Sequence, residues 1–511
     1  MNDWTAGYVA DIDYTFGYYA ELNPLRVKLP FLNHGMVSPD IKTACELGFG
    51  QGLSTNIHAA ASNVEWYGTD FNPSQASFAQ ELAQAAGGGA KLYDEAFGDF
   101  IHRIDLPDFD YIALHGIWSW ISDENRAAIV EFVRRKMKPG GVLYISYNTF
   151  PGWASFAPMR QLMAEHADVL GADGGGTIGR VDGAMDFAQK LLATNPLFLR
   201  AHPLVAERLE KMRGHNRHYL AHEYFNRDWH PMHFSSAARW LQDAKVRYAC
   251  SANYFDHIDA IHLTSEQQNF LRDLPDPNFR ESVRDFMVNQ QFRKDYWIRG
   301  GRKLSALSQV ETLRHQRFML VSQQSAITLK VTGALGESTM TESIYRPILD
   351  VLADNMPYSL GHIETSLHGK GINFSEIIQA TLLLSAAGYV DPVQEDEIIS
   401  QARKKTKRLN HHLCMKARDR NDITFLASPV TGGGHMTGRF QQLFLLALEQ
   451  GKKRPAEWAS YAWTILAAQG QKIIKDGNAL ETIEENLAEL TEQATQFDKN
   501  QLSIFKALQI A

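Results

Sequence analysis

The sequence has 511 residues, of which 44% are hydrophobic and 21% are charged, so it is globular and long enough for several domains. Its formal net charge of −7 excludes a strongly basic nucleic-acid binder. The imbalance lies in residues 1–160, which hold 11 Lys or Arg and 18 Asp or Glu, whereas the other positions hold 40 of each. Cys45, Cys250 and Cys414 are far apart, which argues against a disulfide framework and against a cysteine-rich zinc site.

The N-terminal residues show neither the basic region nor the apolar region of a signal peptide. No apolar run approaches the roughly 18 residues that a membrane span needs. We therefore expect a cytoplasmic protein without membrane insertion.

Strand-like and helix-like segments alternate in the first third of the chain. Asn72 suits the N-cap of one predicted helix and Pro73 its first position, and KPGG at 138–141 suits a turn. This alternation predicts an α/β fold with parallel strands and helices on both faces. The predicted strands are 43–47, 64–69, 90–93, 109–116 and 142–148, and the predicted helices are 53–61, 73–86 and 122–137.

The middle of the chain changes character. A mostly helical pattern over 154–221 predicts an insertion. Strands near 246–254 and 292–299, within a region at 222–300, would then complete a seven-stranded sheet begun in 1–153. A sheet confined to the N-terminal region is the alternative.

Two further regions follow. Residues 301–400 contain three helix-like segments and a short strand at 341–393, an order typical of a winged-helix-like module. Residues 401–511 are predicted to form a helical domain. The basic run RKKTKR at 403–408 favours a solvated linker.

A glycine-rich turn, ELGFGQG, joins the first strand to the first helix. It places Glu46 two residues before Gly48, and Gly50 and Gly52 follow. Glycines let the backbone approach a ligand closely, but the spacing is GxGxG rather than the dinucleotide fingerprint GxGxxG. A carboxylate at Glu46 suits a ligand with a positively charged amino group. An ordinary tight turn is the alternative.

Carboxylates also follow the second and third strands. Asp70 can accept hydrogen bonds from both hydroxyls of a ribose, and Glu95 can accept one from the exocyclic amine of an adenine. Each acid alone also has an alternative explanation. Asp70 suits a negative charge near a helix N-terminus, and Glu95 suits an exposed acidic turn. In order along one sheet, the three acids predict a site for an adenosyl ligand.

The ordered motifs ELGFGQG, YGTDFNP, DEAF, FDYIALHG and KPGGVLYISYN resemble those of class I S-adenosylmethionine-dependent methyltransferases over residues 40–150. The resemblance implies a Rossmann-like sheet domain with S-adenosylmethionine as cofactor. It implies that Glu46 and the glycines face the methionine end, Asp70 the ribose, and Glu95 with Ala96 the adenine. The cofactor-binding residues implied are Glu46, Gly48, Gly50, Gly52, Asp70, Phe71, Glu95, Ala96 and His115.

Three more segments, LHGIWSWIS, SYNTFPGW and YLAHEYFN, are similar to those of methyltransferases that carry a methyltransferase regulatory domain. That group includes rickettsial protein lysine methyltransferases that modify outer-membrane proteins. The resemblance implies a homodimer formed through the helical insertion, and an N-terminal stretch packed over the cofactor. The C-terminal part of the group varies, which leaves a different substrate open.

Methyl transfer requires a positioned, deprotonated acceptor. A lysine amine in water has a pKa of about 10.4, which an apolar aromatic pocket lowers, and aromatic faces also attract a methylated ammonium. His115, after the fourth strand, is either a general base or a positioning group. The candidate catalytic residues are Tyr14, His115, Trp118, Tyr147 and Asn148, with Tyr18, Tyr19, Trp120 and Trp153 as further aromatic candidates.

Two other classes of site are disfavoured. His215, His218 and His222 share one helix face, but no cysteine supports a zinc ion, so we expect no metal and a solvated or interdomain face. The third helix of the winged-helix-like module has no Lys or Arg, so we expect no nucleic-acid partner.

The leading function is S-adenosylmethionine-dependent methylation of lysine amines of a protein. The alternatives are N- or O-methylation of a small molecule and a non-catalytic scaffold that keeps the cofactor pocket. The intact glycine and acidic positions argue against the scaffold, and the long non-catalytic remainder favours a large substrate.

Overall fold

The main sheet is built from the first third of the chain and two later strands. The computed structural model describes residues 5, 7–9, 11–12, 14–171 and 175–511. Within them this sheet has seven strands: β1 (Thr43–Leu47), β2 (Glu65–Asp70), β3 (Lys91–Asp94), β4 (Phe109–Leu114), β5 (Met137–Asn148), β6 (Arg247–Ser251) and β7 (Phe292–Ile298). Their order is β3-β2-β1-β4-β5-β7-β6, with β1 to β5 parallel and β7 antiparallel to both neighbours. The predicted α/β class is confirmed.

Alternate side chains of the strands enter two separate cores, one on each face of the sheet. Cys45 and Leu47 of β1 belong to one core, and Ala44 to the other. The Asn72 side chain accepts a hydrogen bond from the Ser74 amide, which confirms the predicted cap. The helices up to β5 are α1 (Lys28–Asn33), α2 (Leu53–Ala61), α3 (Pro73–Ala85), α4 (Phe97–Phe100) and α5 (Asp123–Lys136).

The predicted KPGG turn is wrong, because β5 already begins at Met137 and continues through these residues. The pairing of β5 with β4 is irregular here: Met137 pairs with Phe109, and Val142 with Tyr111. Gly140, at φ +83°, donates its amide to the Arg299 carbonyl. Glycine permits this backbone conformation, so the strand bulges without ending.

The segment after β5 is helical, as the sequence indicated. Its helices enclose a core of their own, to which Trp153, Met163 and Leu220 contribute. Four more helices flank β6 and β7. In chain order the helices are α6 (Ala157–Val169), α7 (Gly176–Ala193), α8 (Leu197–Ala201), α9 (Leu204–Arg213), α10 (Arg217–Tyr224), α11 (Phe234–Gln242), α12 (Asp259–His262), α13 (Ser265–Asp273) and α14 (Pro277–Met287).

The next region contains the three predicted helices and the short strand after them. A two-residue strand, β11, lies between the first two helices and was missed. It joins β8 and β12 in an antiparallel sheet; the winged-helix comparison stays a prediction. The elements are α15 (Ala306–His315), β8 (Arg317–Leu320), β9 (Lys330–Gly333), β10 (Gly336–Thr339), α16 (Glu342–Val351), β11 (Tyr358–Ser359), α17 (Leu360–Ser366), α18 (Phe374–Ala386) and β12 (Val390–Pro392).

The basic run RKKTKR does not form a linker. It lies inside a long helix, α19 (Asp396–Lys416), which crosses position 400, where the sequence placed a domain boundary. Ala402, Thr406 and Leu409 are buried and form an apolar stripe at helical spacing between the charges. This stripe packs against α2 and α3, so the helix joins the C-terminal region to the sheet domain.

The last part of the chain is mostly helical and follows a short hairpin. Its elements are β13 (Phe425–Ser428), β14 (Gly433–Met436), α20 (Arg439–Glu449), α21 (Pro455–Ala468), β15 (Ile474–Lys475), β16 (Asn478–Ala479), α22 (Ile483–Asn500) and α23 (Leu502–Ala507). Among the helices described, none combines the length and the apolar character that a membrane span requires.

Candidate active site

A cavity of about 610 Å³ lies at the carboxyl ends of the parallel strands, where open α/β sheets bind their ligands. The predicted glycines line it, and all three have positive φ angles. A Cβ on Gly48 would lie 2.4 Å from Cδ1 of Ile117, and one on Gly52 would lie 2.4 Å from Cβ of Ala79. The turn therefore requires glycine, and it exposes main chain to the cavity.

Glu46 projects from β1 into the same cavity. Its side chain is buried, and the Thr55 hydroxyl donates a hydrogen bond to its carboxylate. Burial raises the pKa of Glu46 to about 8, against the Thr55 hydrogen bond, which lowers it. A cationic ligand group would satisfy this carboxylate.

Asp70 lies at the end of β2, as predicted. Its two oxygens accept hydrogen bonds from the amides of Gly50 at 2.8 Å and Asn72 at 3.0 Å, which fix the carboxylate against the glycine turn. Burial raises its pKa to about 7. Phe71 lines the cavity beside it, with the Tyr8 ring edge-on at 5.7 Å.

Glu95 and Ala96 follow β3 and also line the cavity. One Glu95 oxygen pairs with Arg103 at 2.5 Å. The other, Oε2, is buried and has no hydrogen-bond partner among the described residues. A buried carboxylate oxygen without a donor is costly, and the exocyclic amine of an adenine would supply that donor.

His115 lines the cavity after β4. Its Nδ1 lies 2.8 Å from the Tyr144 hydroxyl, and its ring stacks on Tyr19 at 3.6 Å between centroids. Burial lowers the pKa of His115 to about 3, so the imidazole is neutral near pH 7. Of the two predicted roles, this environment favours positioning over proton acceptance.

Rings from the N-terminal stretch form one wall of the cavity. Tyr14 lies over the glycine turn, 4.0 Å from where a Cβ on Gly50 would be. Trp120 and Trp153 line the cavity as well.

Three predicted aromatic residues lie elsewhere. Trp118 is fully buried in the core of the sheet domain, where its Nε1 contacts the Met232 sulfur at 3.2 Å. Tyr147 donates to Asp295 at 2.9 Å on the face of β5 opposite to Asn148, because successive strand residues point to opposite faces. Tyr18 packs against Phe425 of the C-terminal hairpin.

Asn148 does line the cavity, and it faces residues of α9 and α10 that were not predicted to belong to the site. His222 is buried between Tyr8 and Tyr14, so of the two predicted surroundings, a solvated or an interdomain face, the solvated one is wrong for this residue. The segment YLAHEYFN was the available signal, because an acid and three aromatic residues lie within three positions of its histidine. From these two helices, the cavity residues that were missed are Arg208, Tyr219, His222, Glu223 and Tyr224. No cluster of three or more metal-ligating side chains occurs in the part of the chain that the structure describes.

Comparisons with known proteins agree with this geometry. Residues 44–141 match the family model described as "Methyltransferase domain", and residues 216–299 match "Predicted methyltransferase regulatory domain". An uncharacterised protein of Synechocystis is 39% identical over 513 residues, covering 99% of this chain and 100% of that one. The chain belongs to the class I S-adenosylmethionine-dependent methyltransferases that carry a regulatory domain.

The methyltransferase shares its fold with a solved structure over nearly its whole length. That structure is PKMT2 from Rickettsia typhi in complex with AdoHcy, with a TM-score of 0.68, 16% identity, and coverage of 97% of this chain and 99% of that one. An uncharacterised Rickettsia prowazekii protein is 24% identical over 300 residues, covering 55% of this chain and 51% of that one. S-adenosylmethionine is the cofactor of the family and of this enzyme.

Proposed function

We propose that this methyltransferase methylates lysine amines of a protein substrate. The observation that carries the proposal is the aromatic and acidic composition of the cavity beyond the glycine turn, where Tyr14, Tyr19, Tyr219 and Glu223 line one space. Aromatic faces and a carboxylate suit an amine that enters as an ammonium and leaves as a methylated ammonium. A lysine side chain is narrow and unbranched, and it can reach such a space while the rest of the substrate stays outside.

The cofactor-binding end fits S-adenosylmethionine. We propose that Glu46 receives its amino group, Asp70 its ribose hydroxyls, and Oε2 of Glu95 its adenine amine. When bound, the cofactor supplies an electrophilic methyl group on a sulfonium. The close approach of main chain at Gly48 and the ring of Phe71 complete this end.

The acceptor end then has three tasks. The rings of Tyr14 and Tyr19 exclude water and lower the pKa of an entering amine by desolvation. The neutral imidazole of His115 keeps Tyr19 stacked in place. The half-exposed residues Asn125 and Asp228 line the cavity as well, so it opens at the surface, where a protein segment can dock.

A labelling experiment tests the proposal. Protein and small-molecule fractions from cells that lack the enzyme are incubated with methyl-labelled S-adenosylmethionine and either the wild type or Gly48→Val. The strained turn of this variant should prevent cofactor binding, so it controls for background label. We expect label in the protein fraction with the wild type alone. Label confined to small molecules would support the small-molecule alternative instead.

A further inference from the structure

We propose that Glu223 is a catalytic residue that takes the proton from the acceptor amine, and that Asn148 orients its carboxylate. The assignment rests on the proposed methylation of an amine and deepens it. Glu223 belongs neither to the glycine turn nor to the carboxylates at the cofactor-binding end.

The position of Glu223 is fixed from two sides. It lies in the last turn of α10, and its main-chain carbonyl accepts a hydrogen bond from Nε1 of Trp120 at 3.2 Å. This bond ties α10 to the segment after β4, which also carries His115. The Glu223 side chain therefore shares the cavity with the strand ends that surround the cofactor.

Asn148 provides a second, independent observation. Asn148 is the last residue of β5, and 2% of its surface is exposed. Its main-chain N–H donates a hydrogen bond to Oγ of Ser119 at 2.8 Å. Its side-chain Nδ2 is buried without a partner at hydrogen-bonding distance and angle among the described residues. It lines the same cavity as the Glu223 carboxyl, whose pKa it lowers. A hydrogen bond donated by Nδ2 to this carboxylate would orient it for proton transfer.

The other carboxylates that line the cavity are either assigned to the cofactor-binding end or paired with a basic residue. Glu46, Asp70 and Glu95 belong to the proposed cofactor-binding end. Asp228 pairs with Arg227 at 3.0 Å and lies 3.4 Å from His230. Among the described cavity residues, Glu223 is thus the carboxylate available at the acceptor end.

The surroundings of Glu223 give it the proton affinity of a useful base. Burial raises its pKa to about 7, while Asn148, Arg208 and Arg160 lower it. The groups that face it are Asn148 from β5, Arg160 from α6, Arg208 from α9, Tyr219 and Tyr224 from α10, and Tyr8, Tyr14 and Tyr19 from the N-terminal stretch. A general base with a pKa close to the working pH is largely deprotonated and still accepts a proton readily. His115, with a pKa of about 3, is too weak a base for this role.

The proposed step balances in atoms and charge. A proton passes from the acceptor ammonium to the Glu223 carboxylate, which becomes a neutral acid. The freed nitrogen lone pair forms a bond to the methyl carbon as the carbon–sulfur bond breaks, and the bonding electrons return to sulfur as a neutral thioether. The product is a methylated ammonium, and Glu223 then releases its proton to solvent.

The full-length wild type is compared with Glu223→Gln, with Asn148→Ala and with the matched control Glu210→Gln, an exposed residue of α9 that does not line the cavity. Each variant is assayed across pH 6 to 9 with labelled S-adenosylmethionine and total protein from cells that lack the enzyme. We expect Glu223→Gln to lower the rate by roughly 100-fold or more and to abolish the acidic limb of the pH–rate profile. Asn148→Ala should shift that limb to higher pH, because it removes a group that lowers the pKa of Glu223. Glu210→Gln should keep the wild-type profile, because this side chain is exposed on α9 outside the cavity.

Calorimetric titration of each variant with S-adenosylmethionine separates folding from catalysis, and we expect unchanged affinity for Glu223→Gln. A wild-type rate and profile in Glu223→Gln would overturn the assignment. If the wild type labels small molecules alone, the proposed protein substrate fails. The same comparison on that acceptor then decides the role of Glu223.

Discussion

Burial governs the chemistry of individual residues in the cavity. Glu46 and Asp70 lie away from water, so their carboxyl groups hold protons at pH values where surface carboxyl groups are ionised. A cofactor that carries an ammonium group and ribose hydroxyls interacts best with the ionised forms. Cofactor binding and proton release are therefore coupled at these two residues.

We expect the affinity for S-adenosylmethionine to rise as the pH increases from about 6 to 7.5, because binding expels protons from Glu46 and Asp70, whose pKa values are about 8 and 7. Calorimetric titrations in two buffers of different ionisation enthalpy measure the release. Glu46→Gln should bind more weakly and release fewer protons. Binding without proton release across this range would contradict the coupling.

The sequence was sufficient to place polar residues at strand ends but not to orient their neighbours. Asp70, Glu95, His115 and Asn148 line the cavity, as strand-end residues should, because the carboxyl ends of parallel strands meet at one edge. Tyr147 was misassigned because the phase of the strand pleat decides which of two adjacent residues faces the site. Glu223 was not assigned because it lies on a helix brought to the sheet by tertiary packing alone.

At the scale of elements, the C-terminal hairpin is a support for the cavity wall. Nδ2 of Asn23 donates a hydrogen bond of 3.0 Å to the carbonyl of Thr431, which lies in the loop between β13 and β14. His58 bridges the hairpin and the wall, with Nδ1 3.3 Å from the Gly432 carbonyl and Nε2 3.4 Å from the Tyr19 carbonyl. The sequence alone does not indicate that this loop is anchored, because its partner Asn23 lies about 400 positions away.

Gly433→Ala should destabilise the protein and slow methyl transfer. The new Cβ would lie 2.6 Å from the Tyr18 hydroxyl and 2.9 Å from Nδ2 of Asn23, and overpacking of this kind costs about 1–3 kcal/mol. Displacement of Tyr18 would then move the adjacent Tyr19. Thermal unfolding and initial rates measure both effects. Gly179→Ala, in open space on α7, is the control and should retain stability; equal behaviour of the two variants would contradict the support role.

At the scale of the whole molecule, the C-terminal region and the sheet domain share one hydrophobic core. Leu53 and Ile57 of α2 pack in the same cluster as Leu413 of α19, Leu443 of α20 and Phe497 of α22. Lys416 and Glu81 form an ion pair at 2.8 Å across the same junction. The regions that the sequence separated as domains are thus physically joined here. Dimerisation through the helical insertion stays a prediction.

Removal of residues 396–511 should abolish folding of the remainder. The deletion exposes the buried apolar face of α2, including the fully buried Ile57, and removes the hairpin behind Tyr19. We expect the fragment to aggregate and to show no S-adenosylmethionine binding by calorimetry, whereas the full chain binds. A soluble fragment that binds the cofactor as the full chain does would show that the shared core is dispensable.

Mass spectrometry of methylated proteins tests most directly whether this enzyme is a protein lysine methyltransferase that depends on Glu223. Total protein from cells that lack the enzyme is incubated with S-adenosylmethionine and either the wild type or Glu223→Gln, then digested and searched for new methyl groups. We predict methylation at Nζ of lysine with the wild type and its loss with the variant. New methyl groups on other atoms alone, or none on any protein while small molecules are methylated, would contradict this claim.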